Sequence, residues 1–148
     1  MGNELSDDRR LHLEQLQSAI ARMASASSRA KTWLLPVATA TYGYALANHD
    51  TSVAGLGIAA VCLFAFLDAR YLREERAFRA LFTRASRGRG RVYDMNSRAF
   101  YGKPNDDKRD RREENCRWRK IIWSWSLAGF YLPVAAVGVI VIALTLIP

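Results

Sequence analysis

His12, His49, Cys62 and Cys116 are the only histidines and cysteines in this 148-residue chain. An apolar run free of Lys, Arg, Asp and Glu stands between the two histidines. It is long enough to put them on opposite sides of a bilayer, so they do not join in one metal site or one catalytic apparatus within a protomer. Cys62 sits inside a second apolar run and Cys116 beside a third, so they do not bridge within the chain, and Cys62 reads as a small packing residue. No glycine loop of Walker or dinucleotide-binding spacing occurs. No catalytic residue, metal or cofactor is therefore expected, and an enzyme is not the reading.

Charged side chains offer more. Asp68 stands at the end of the second apolar run, two places before Arg70. A carboxylate near hydrocarbon is costly unless it is paired or hydrated. Asp68 is either a functional intramembrane charge or half of a local pair with Arg70, Arg73 or Lys31. Arg84, Arg87, Arg89, Arg91 and Arg98, with Tyr93 among them, form a basic cluster that is the candidate anion site. Membrane-lipid headgroups or plain solvation suit such a cluster by default. The sharper alternative is a nucleotide, its phosphate held by arginine forks and its base stacked on Tyr93, Phe100 or Tyr101. Nucleic acid is disfavoured, because eight carboxylates are interspersed between Glu74 and Glu114.

The elements that must position these groups follow from how charge is segregated. The chain carries 22 Lys and Arg, 14 Asp and Glu and a net charge of +8, yet residues 32–49, 51–67 and 121–148 hold none of these four types. The first two runs are near the lower length needed to cross roughly 30 Å of hydrocarbon, and the third exceeds it. Asn48, His49, Asp50, Thr51 and Ser52 carry helix-stopping types and predict a tight helical hairpin. Pro36 falls in the first turns of the first run, where a missing N–H costs least; Pro133 is interior to the third and predicts a kink. The reading is an all-α, helical membrane protein with three transmembrane helices and cytoplasmic helical extensions. Its parts are a cytoplasmic amphipathic N-terminal helix (1–31), a transmembrane hairpin (32–69), a cytoplasmic basic helix-loop-helix region (70–119) and a third transmembrane helix (120–148).

Five basic residues precede position 32 and seventeen lie in 70–120, while the hairpin turn and the C-terminus have none. The positive-inside rule then puts the N-terminus and the long middle segment in the cytoplasm and the C-terminus outside. Trp33, Trp118, Trp123, Trp125 and Tyr71 gather at the cytoplasmic ends, as interfacial aromatics do. No basic-then-apolar opening predicts a cleaved signal peptide. Leu13, Leu16, Ile20 and Met23 recur at three and four residues, a narrow stripe that covers either the helix's own neighbour or membrane, or a second protomer. Residues 68–85 beyond the second run contain no Gly or Pro, so one helix is expected from about residue 52 to 85, with a striped cytoplasmic end for the N-terminal helix to cover. A loop over 92–105 and a further helix from Asp106 into the third run complete the reading. Gly55 and Ala59 make a small-xxx-small pair of the kind that favours oligomers, and with the stripe they are the candidate oligomer-interface residues.

Three strings carry a resemblance. His12, Leu13, Glu14, Gln17, Ile20, Arg22, Met23, Ala24, Ser27, Lys31 and Trp33 form the first. The second runs from Phe66 to Phe82 through Leu67, Asp68, Ala69, Tyr71, Leu72, Arg73, Glu75, Arg76, Phe78, Arg79 and Leu81. Trp125, Ser126, Phe130 and Tyr131 form the third. Together they resemble a family of small bacterial three-span membrane proteins, and the layout is similar to membrane effectors of antiphage systems of the SLATT type, from which it departs in the third span. The resemblance implies a homo-oligomeric effector of the bacterial inner membrane in defence or stress, switched on through its cytoplasmic region by a protein partner or nucleotide messenger and acting by permeabilisation. The alternative is a non-enzymatic membrane anchor or scaffold that docks a cytosolic complex.

Overall fold

The computed structural model describes residues 2–87, 93–97, 121 and 124–147, with side chains from Asp7 onward. Among these the regular structure is helical and no strand occurs. Three helices are present: α1 (Gly2–Asn48), α2 (Thr51–Ser86) and α3 (Trp125–Thr145). The expected helix over 106–120 lies outside the described residues, as does the expected loop over 92–105 apart from residues 93–97.

α1 differs from the expectation in its continuity. The N-terminal helix and the first apolar run are one helix of 47 residues, about 70 Å long at 1.5 Å per residue. Composition changes sharply near Lys31, but no Gly, Asn or Pro interrupts residues 7–35, so the backbone has no cause to stop there. Pro36 is therefore interior to α1 and not in an opening turn. Its missing N–H leaves the Thr32 carbonyl without its helical donor. The buried side of α1 recurs every three or four residues, through His12, Leu16 and Ala19, then Ser27, Ala30, Leu34, Ala38, Tyr42 and Ala45.

The turn between α1 and α2 is two residues, and each has a separate job. His49 takes φ 50°, and the Asp50 N–H reaches back to the Ala45 carbonyl at 3.0 Å. That is a Schellman ending for α1. The Asp50 carboxylate then accepts from the N–H groups of Ser52 (2.9 Å) and Val53 (3.3 Å), which caps α2. The expected hairpin is present, and α2 matches the expected length to within a residue at each end.

The chain divides into two compact units. The first comprises Met1–Ser25 and Tyr71–Ile121. Its core is Leu16 of α1 against Ala77 and Leu81 of α2, with Phe78 and Phe82 partly buried beside them. The expected covering of the α2 stripe by the N-terminal helix is thus present. The second unit comprises Ala26–Arg70 and Ile122–Pro148. It packs Leu34, Ala38, Tyr42 and Ala45 of α1, Ala54 and Val61 of α2, and Leu127, Tyr131 and Val141 of α3. Tyr42 decides how closely its helices approach. A Cβ on Gly57 would meet the Tyr42 ring at 2.5 Å, and one on Gly138 would collide with the Tyr42 hydroxyl. Glycine is required at both places because the ring occupies the space.

Two helices, α2 and α3, are long and apolar enough to cross a membrane. Only 28% and 22% of their most apolar windows are buried inside the chain, unlike core helices of a soluble protein. Three transmembrane helices were expected. The corresponding part of α1 is less apolar because it carries Thr39, Thr41, Tyr42 and Tyr44.

Candidate functional site

The second unit buries one carboxylate completely. Asp68 is 0% exposed. Burial of an ionised carboxylate is strongly unfavourable unless charge and hydrogen bonds compensate it, and here two other helices supply the compensation. Ser27 and Lys31 lie one turn apart on α1 and so share a face. The Ser27 hydroxyl donates to Asp68 Oδ1. Lys31 Nζ stands 3.4 Å from Asp68 Oδ2. The same ammonium donates to the Ser126 hydroxyl of α3 at 3.0 Å. Tyr131, also on α3, faces Asp68 and donates its hydroxyl to the Phe64 carbonyl of α2 at 3.3 Å.

All three helices therefore meet in one polar cluster. Of the local partners considered for Asp68, the structure selects Lys31. Arg70 is exposed, and the orientation of α2 turns it away from the buried face that holds Asp68. Every side chain of the cluster belongs to one of the three quoted strings: Ser27 and Lys31 to the first, Asp68 to the second, Ser126 and Tyr131 to the third. The ion pair is incompletely hydrogen-bonded, since Asp68 Oδ2 has no hydrogen-bond partner among the described residues.

The first unit holds a different polar feature, one that sequence reading passed over. His12 is 2% exposed, and neither ring nitrogen has a partner among the described residues. Its ring meets the edge of Tyr93 at a centroid distance of 6.1 Å. Tyr93 takes φ 67° and donates its hydroxyl to Asp8 at 2.9 Å. Donation to that carboxylate, then partial burial, raises the Tyr93 phenol above its ordinary range. The available signal was that His12 is four residues before Leu16, on the buried face of α1.

The remaining candidates are scattered. Arg84 and Arg87 are exposed at the end of α2, Tyr93 is engaged with Asp8, and Arg89, Arg91 and Arg98 lie outside the described residues. The structure does not bring these six together as an anion site within the described residues. Leu16 is spent in the core of the first unit, while Leu13, Ile20 and Met23 are half-buried. Gly55 and Ala59 are exposed, and a Cβ on Gly55 would meet nothing within 4 Å. Cys62 is free and exposed, and Cys116 lies outside the described residues. No group of three metal-ligating side chains occurs among the described residues. No family model, curated protein or solved structure matches this chain.

Proposed function

We propose that this chain is a three-span protein of a bacterial inner membrane, with its N-terminus inside and its C-terminus outside. In this reading it works as an oligomeric effector. A protein partner or a nucleotide messenger acts on the cytoplasmic first unit, and the three helices of the second unit then change the permeability of the membrane.

One observation carries the membrane part of the reading. The helices of the second unit are tied by polar contacts at two levels, and between those levels they carry no charge. At one level Lys31 bonds to Ser126 and pairs with Asp68. At the other the hydroxyls of Thr51 and Thr145 meet at 3.1 Å. From Ser126 to Thr145 a helix rises about 28 Å, close to the roughly 30 Å of a hydrocarbon core. Trp33 and Trp125 are exposed at the first level, where interfacial indoles belong.

The lower hydropathy of α1 is compatible with crossing beside them. Thr41 donates to the carbonyls of Val37 (2.9 Å) and Ala38 (3.1 Å), and Thr32 to that of Ser28 (3.2 Å). Hydroxyls satisfied on their own helix are tolerated in lipid.

Support for the effector part is the layout: a charged helical unit built on the same α1 and α2 that form the apolar unit, and a buried ion pair at the level where the charge begins. Purified protein in liposomes loaded with a self-quenched dye tests it. Release that depends on the protein, and rises with a cytosolic extract or a candidate messenger, is the expected result. Intact vesicles under every condition, together with a stable stoichiometric complex in pull-down, would assign the chain to membrane anchors instead.

A further inference from the structure

We propose that Asp68 is the anionic centre of a monovalent-cation site, occupied at rest by the chain's own ammonium group on Lys31. Three observations converge on it. Asp68 is fully buried, and its Oδ2 atom has no hydrogen-bond partner among the described residues. An oxygen in that position can accept a cation more closely than Lys31 does. Lys31 neutralises it by proximity but does not bond to it well. At 3.4 Å the contact is longer than the 2.7–2.9 Å of a charge-assisted hydrogen bond, and the ammonium donates to Ser126 at 3.0 Å. Finally, the two partners differ in access. The Lys31 side chain is 23% exposed and that of Asp68 1%, so the lysine can withdraw along its flexible stem towards water, whereas the carboxylate cannot follow.

The ligand class follows from the charge count. One carboxylate balances one positive charge. The other oxygens near it are neutral: the Ser27 hydroxyl, the Tyr131 hydroxyl and, behind the latter, the Phe64 carbonyl. Divalent cations require more carboxylate ligands than this site supplies. When Lys31 leaves, a potassium, sodium or ammonium ion takes its place beside Asp68. This deepens the permeability reading and rests on it only in naming what would pass: a carboxylate at the mouth of the spans favours cations over anions.

The test has two arms, both on the full chain. In the first, Lys31→Gln removes the resident charge and keeps the side chain polar, and Lys31→Ala with added ethylammonium supplies a detached copy of it. Thermal unfolding in detergent is followed at constant ionic strength, with N-methylglucamine exchanged for potassium, sodium or ammonium. The Lys31 variants should melt lower than the wild type in N-methylglucamine and regain stability in a saturable way with the small cations. The wild type and the Lys31→Gln, Asp68→Asn double variant should not respond. A flat response of both Lys31 variants, or an equal response of the double variant, overturns the site.

In the second arm, reversal potentials under a potassium chloride gradient compare wild type with Asp68→Asn in liposomes. Loss of cation preference in Asp68→Asn is expected. Unchanged preference alongside a flat melting response overturns the cation site and leaves permeabilisation standing. A saturable melting response without flux in any vesicle supports the site and removes the permeability reading.

Discussion

Lys31 and Asp68 of the second unit are unequal halves of one pair. Removing Asp68 leaves an ammonium group that already has Ser126 and partial access to solvent. Removing Lys31 leaves a fully buried carboxylate with the Ser27 hydroxyl as a donor and no cation beside it among the described residues. The cost of breaking a buried pair, about 3–5 kcal/mol, should therefore fall mainly on Lys31→Met. Asp68→Asn should cost about 1–3 kcal/mol, the range for a buried group with imperfect partners. Replacing both, as Lys31→Met with Asp68→Leu, should recover most of the stability, because no charge is then buried. Chemical unfolding in detergent reads all three, and equal losses for the two single variants would contradict the asymmetry. Tyr93 gives the pH-dependent counterpart in the first unit. Its phenol is raised because the neutral form donates to Asp8, so the fold favours the protonated state. The tie is whole below the ordinary phenol value of about 10 and is lost as pH rises through the higher value of the folded chain. Ultraviolet titration should show a late phenolate step in the wild type that Tyr93→Phe lacks, and the stability gap between them should close only in strongly alkaline solution.

Helix spacing in the second unit is set by where side chains are missing. Gly57 and Gly138 face Tyr42 closely enough that a methyl group displaces the ring, whereas Gly43 and Gly55 face open space. Gly57→Ala and Gly138→Ala should each cost about 1–3 kcal/mol through overpacking. Gly43→Ala and Gly55→Ala should be neutral or add up to about 1 kcal/mol through helix propensity, and thermal melts of the four variants separate the two classes. A melt that treats Gly55 and Gly57 alike would put Tyr42 elsewhere. The sequence made the small residues visible but not this division, because which glycine meets a ring depends on the rotation of α1 against α2, and nothing local encodes that. The same limit explains the boundary at residue 31. Hydropathy changes there, so the chain reads as two segments, but helix continuity is decided by backbone hydrogen bonds and breakers, and α1 runs on. Breakers were also why the hairpin was legible: His49 and Asp50 are residues that tolerate a left-handed turn or cap a helix, and they do both. Asp68 was legible as a costly charge and Lys31 as one of three candidate partners, while Ser126 and Tyr131 needed the fold to bring α3 to them.

At the scale of the whole chain, the segregation of charge admits one economical arrangement. The second unit exposes Leu56, Leu63, Leu132, Val139 and Ile140 by more than half each, side chains whose exposure to water forgoes about 1.5–3 kcal/mol apiece. Lipid would remove that cost, and under the proposed function the positive-inside bias predicts which end faces the cytoplasm. The seventeen basic residues of 70–120 cannot cross hydrocarbon, whereas the turn at His49 and Asp50 carries no basic group other than the histidine. A chain with Cys62 and Cys116 replaced by alanine gives a clean background for labelling with a membrane-impermeant maleimide. In that background Ser52→Cys should label in intact spheroplasts, and Ser86→Cys only after the membrane is opened. Both positions are exposed and helical, so a difference between them reports sidedness and not local burial. Labelling of both in intact spheroplasts would place α2 outside the bilayer. Labelling of Ser86→Cys alone would invert the chain and put the Lys31–Asp68 pair at the outer face.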